Sequence, residues 1–72
     1  MDIVAVLGLI AKGVSVVSAL LDAGKEATPA LNAIKNLVTG AQNGTVTDAD
    51  LDKTEAILDA LIDDFNLDMP AA

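Results

Sequence analysis

Hydrophobic positions divide the chain into one segment that is apolar nearly all round and two that are apolar on one side only. From Ile3 to Leu21 the sequence runs IVAVLGLIAKGVSVVSALL, interrupted by a single charge, Lys12. Val and Ile suit a strand, but so long a run without a turn signal exceeds strand length, and the segment predicts a helix over about residues 2–23. Asp2 complements the positive end of the helix dipole, and Gly24 followed by Lys25 supplies a stop. On a helical wheel Ala5, Gly8, Lys12, Ser15, Ala19 and Asp22 form a stripe of small or polar groups. Large aliphatic residues occupy the rest.

The second segment opens on Thr28-Pro29, read as an N-cap followed by proline at the first helical position, where a missing N–H costs nothing. Ala30, Leu31, Ile34, Leu37, Val38 and Ala41 then recur at three- and four-residue spacing, which predicts a helix over about 28–41 with one apolar face. Gly40 and Asn43-Gly44 end it. In the third segment, about 47–66, Thr47 is the N-cap and Asp50 its partner three residues on, a capping box with Asp in place of Glu or Gln. Val46 and Leu51 stand where a hydrophobic staple closes. Its apolar face runs Leu51, Thr54, Leu58, Leu61, Ile62 and Phe65, with Ile57 at the margin and Asp59, Asp63 and Asp64 outside. The pattern predicts an all-α fold in a single domain spanning 1–72: an apolar N-terminal helix plus an antiparallel helical hairpin, with 67–72 a frayed tail.

Composition removes most chemistry. The 72 residues include no Cys, His, Tyr or Trp, so the usual neutral-pH bases, thiol nucleophiles and best zinc ligands are missing. The expectation is a non-enzyme with no catalytic residue, cofactor, metal or small-molecule substrate. Eleven acidic against four basic residues, all four lysine, make a net charge of −7. Phosphate binding needs clustered cations, so nucleic acid is excluded as a partner, and an anionic membrane surface is disfavoured too. A cleaved leader is not expected either, because Asp2 precedes the apolar run and no basic region leads into it.

Three constellations bear on function. Asn43 to Leu51 is similar to the second half of an EF-hand loop, with Gly44 at the turn glycine and Asp50 at the twelfth position. The first half fails, because its first and third ligand positions are Thr39 and Ala41. A turn followed by a capped helix explains the same residues without an ion. Asp52, Glu55, Asp59 and Asp63 share a face, read first as a solvated surface and second as a site for a cationic partner. Lys12 is read as a lysine on a narrow polar stripe, paired with an acidic residue of the third helix rather than a charge in a pore.

The first helix remains too apolar for so small a chain to cover. Ile3, Leu7, Ile10, Val14, Val17 and Leu21 are the expected burying contacts of an interface, with Gly8 and Ser15 permitting close approach. The expected partner is the chain itself or a larger protein assembly. Leu7→Asp or Val14→Asp is expected to abolish assembly and leave an aggregation-prone or partly folded chain. A single-span membrane protein with residues 3–21 in the bilayer is the alternative, since length permits it. Against it stand Lys12, Ser15, Ser18 and the lack of flanking aromatic or basic anchors. A soluble adaptor or inhibitor for one protein target is the third reading.

A short acidic chain with an apolar first helix, a glycine turn and a V-T-x-x-[ED]-L helix start resembles small bacteriophage-encoded proteins associated with virions. The residues carrying the likeness are Gly44, Val46, Thr47, Asp50 and Leu51. The resemblance implies a capsid or tail accessory component present in many symmetric copies, located in the cytoplasm or the virion, with a holin-like protein as its membrane variant.

Overall fold

The structure, a computed structural model, describes residues 2–67. It contains α1 (Ile3–Asp22), α2 (Thr28–Asn43) and α3 (Asp48–Phe65), all three packed against one another. The all-α architecture expected from the periodicity is present, with α2 running two residues past the expected end at Ala41.

Local chemistry explains where the helices begin. Val4 and Ala5 donate their amides to the Asp2 carboxylate at 3.1 and 3.4 Å, so Asp2 caps α1 directly. At α3 the capping box is complete: Asp50 donates its amide to the Thr47 hydroxyl at 3.2 Å, and Thr47 donates its own to the Asp50 carboxylate at 3.0 Å. The start of α2 differs from expectation. Ala27, not Thr28, is the N-cap, and no side chain caps this end. The Thr28 hydroxyl instead donates to the Glu26 carboxylate at 2.9 Å. Ala27 is buried in the core, so packing sets the register that a hydroxyl cap was expected to set.

All three helices end in the same way. Gly24, Gly44 and Asn66 take left-handed φ of 71°, 68° and 51°. The next amide reaches back to a carbonyl five residues earlier, Lys25 to Leu20, Thr45 to Gly40 and Leu67 to Ile62, at 2.8–3.0 Å. Three Schellman motifs therefore satisfy carbonyls the helices leave over. Leu67, placed in the tail by the sequence, is half-buried against the core, while 68–72 lie outside the described residues.

The core is built from Val6, Leu9, Val16 and Leu20 of α1, Ala30, Ala33 and Leu37 of α2, and Leu58 and Leu61 of α3. Ala27 and Val46 close it from the two connections. Alanine on the inner side of α2 brings the helices close. Gly13 does the same on α1: a Cβ there would lie 2.5 Å from Ile34 Cγ1, so the missing side chain is the space that Ile34 occupies. Thr54, on the inner side of α3, is tolerated because its hydroxyl donates to the Asp50 carbonyl at 2.9 Å. Two residues assigned to inner faces are exposed. Leu31 lies one residue beyond Ala30 in a face set by Ala30, Ala33 and Leu37, which turns it outward. Phe65 is the last helical residue, with no further turn of α3 to cover it.

Candidate functional site

An α-helix buried on one side by two neighbours keeps an outer arc, and on α1 that arc is aliphatic. The inner positions Val6, Leu9, Gly13, Val16 and Leu20 recur at alternating three- and four-residue spacing. Stepping one residue along rotates the helix by about 100° and reaches Leu7, Ile10, Val14, Val17 and Leu21. This neighbouring stripe is only partly covered.

The residues expected to form an interface therefore separate into two groups. Ile3, Leu7, Val14 and Leu21 are 52, 58, 56 and 62 % exposed. Ile10 and Val17 are half-buried and pack against the core, so they belong to the bundle as much as to its surface. Two large aliphatics join the outer surface that the sequence reading left out. Val4 is 74 % exposed, and Leu31 of α2 is 51 % exposed. The signal for Val4 was a second stripe, Val4, Leu7, Ala11, Val14, Ser18 and Leu21, every member of which is exposed.

The small and polar stripe marks the side of α1 that adjoins α3. Lys12 Nζ donates to Asp59 Oδ1 at 2.6 Å, the ion pair with the third helix expected for this lysine. Ala5, Gly8, Leu9 and Lys12 line a groove whose opposite wall is Leu51, Asp52 and Glu55. Gly8 is exposed, and among the described residues a Cβ on it would meet nothing within 4 Å. Ser15 is half-buried. Close approach within the bundle depends on Gly13, which the sequence reading passed over although it stands in phase with Val6, Leu9, Val16 and Leu20.

Charge is distributed as unevenly as hydrophobicity. α3 carries seven carboxylates and one lysine, Lys53, whereas the only charge in α2 is Lys35. Among the described residues no three carboxylates are placed to hold a metal ion. Asp50, at the twelfth position of the EF-hand-like alignment, uses its carboxylate to cap α3.

By length and composition α1 is able to cross a membrane, and only 28 % of its most apolar window is buried in the bundle. Of its large aliphatics, Ile3, Val4, Leu7, Val14 and Leu21 face outward, while Val6, Leu9, Val16 and Leu20 are in the core. Compared with known proteins, the chain matches no family model, no curated protein and no solved structure.

Proposed function

We propose that this chain is a non-catalytic structural subunit that uses the outer face of α1 to pack against protein. The observation that carries the reading is the exposed row Ile3, Leu7, Val14 and Leu21, each more than half accessible on the arc of α1 that the other two helices leave uncovered. Fully burying such a side chain contributes about 1.5–3 kcal/mol, so the row supplies a driving force that few single polar contacts match. A virion capsid or tail, assembled from many symmetric copies, is the setting to which the resemblance to small phage proteins points.

The membrane reading has one observation in its favour, the low burial of a helix long enough to span. Lys12 weighs against it. Its partner Asp59 lies on a helix with seven carboxylates, and a hydrocarbon surround of α1 strips this pair of water and separates α1 from the helices that cover its inner side.

Expression without detergent, followed by light scattering, separates the readings. A discrete soluble assembly supports packing against protein, and recovery only in membranes supports the spanning helix. Leu7→Asp and Val14→Asp test the face itself. Because both residues are exposed, the variants keep their helical circular dichroism and lose association, rather than misfolding as the sequence alone suggested. Association unchanged in both variants overturns the proposal.

A further inference from the structure

The outer arc of α1 does not end at α1. Lys12 and Gly8 mark the α3 side of the helix, through Asp59 and the groove wall. Ile3, Leu7, Val14 and Leu21 lie round the helix from that groove, on the arc that continues toward α2. On α2, Ile34 points into the gap at Gly13 of α1, and Leu31, one turn earlier on the same side, is half exposed. The apolar surface therefore crosses from one helix to the next. Lys35 is the only charge α2 brings to it, and a long aliphatic stem lets that charge sit at the rim.

We propose that this α1–α2 face seats a second copy of the chain in a two-fold dimer. The proposal rests on the reading of α1 as a protein-packing helix and names its partner. Two considerations bear on a second copy as the partner. The first is charge. Seven carboxylates lie on α3, on the other side of the bundle, so the helical part of the apolar face lacks an anionic cluster to select a basic partner and holds one lysine, with Lys25 and Glu26 of opposite sign side by side in the connection at its end. In a two-fold interface each patch meets itself, which a nearly uncharged apolar patch tolerates and a carboxylate-rich one does not. Pairing through α1 and α2 leaves the two α3 helices outermost, more than a Debye length of about 8 Å apart at physiological salt. Pairing through any face that contains α3 sets carboxylates against carboxylates.

The second is size, which shows that a dimer has room to form. A face two helices wide and about 30 Å long offers on the order of 600 Å² per copy. Stable interfaces take roughly 600–1,000 Å² from each partner, so the face reaches the lower end of that range. The dimer is accordingly a reversible one, visible as a mass that rises with concentration.

Sedimentation equilibrium across the micromolar range, without detergent, tests this in the full chain. The expected result is a monomer–dimer equilibrium that added salt strengthens or leaves unchanged. Leu31→Asp weakens it at least tenfold, although Leu31 is not on α1. That variant folds, because an acidic residue in the first turn of α2 suits the helix dipole, and unchanged circular dichroism verifies it. Glu55→Gln, on the α3 side, leaves the equilibrium within twofold of the parent. A chain that stays monomeric throughout overturns the dimer. A dimer indifferent to Leu31→Asp yet abolished by Leu7→Asp overturns the two-helix face while the packing role of α1 stands. Indifference to both overturns the two readings together.

Discussion

Gly13 and Gly8 occupy the same helix and respond to the same substitution with opposite sign. Alanine is favoured over glycine in a helix interior by about 1 kcal/mol. At Gly13 the added Cβ falls 2.5 Å from Ile34 Cγ1 and 2.9 Å from its Cδ1. The β-branched Ile34 is stiff, and overpacking of this kind costs typically 1–3 kcal/mol. Gly13→Ala therefore lowers stability by about 1 kcal/mol net, read as a lower urea midpoint at unchanged slope. At Gly8 a Cβ meets open space, and Gly8→Ala raises stability by about 0.5–1 kcal/mol in the same measurement. Equal shifts at the two positions would mean that Ile34 does not rest on Gly13. Both glycines were visible in the sequence, but only Gly8 was singled out. A gap in a helix has no meaning until the side chain that fills it is known, and that side chain is on α2.

At the level of the element, each helix end is a small, separable problem. Thr47 and Asp50 satisfy each other's amides, so Thr47→Ala removes a hydrogen bond that nothing else replaces and costs about 1 kcal/mol. Thermal unfolding followed at 222 nm checks this, and an unchanged midpoint would remove the capping box from the account of α3. Asn66 is the only described non-glycine residue with positive φ, at 51°. Asn66→Gly relieves that strain and raises stability by a few tenths of a kcal/mol up to about 1. These ends were legible because capping and left-handed turns depend on neighbours within a few residues. The beginning of α2 was not. Thr28-Pro29 reads as a cap and first turn, but burial of Ala27 outweighs the hydroxyl and moves the boundary back by one residue.

Across the whole molecule, the arrangement separates an acidic helix from an aliphatic face, and among the described residues one ion pair, Lys12 with Asp59, ties α1 to α3 at the surface. With Lys12 32 % and Asp59 53 % exposed, that pair is worth between 0 and about 1 kcal/mol. Lys12→Met shifts stability by no more than this, and whatever difference exists shrinks in high salt, as unfolding at two ionic strengths will register. A loss of several kcal/mol would make the pair a determinant of the fold rather than a marker of which side α3 lies on. The sequence by itself determined the number of helices, most of their ends and the excess of hydrophobic surface on α1, because period, caps and composition act locally or add along the chain. It could not determine which arc of α1 is inside. A helix apolar around most of its circumference has several nearly equivalent faces. Tertiary packing chose among them by seating Ile34 on Gly13 and turning Lys12 toward Asp59. That rotation sends Val6, Leu9, Val16 and Leu20 into the core, draws Ile10 and Val17 halfway in, and leaves Leu7, Val14 and Leu21 outside with Leu31.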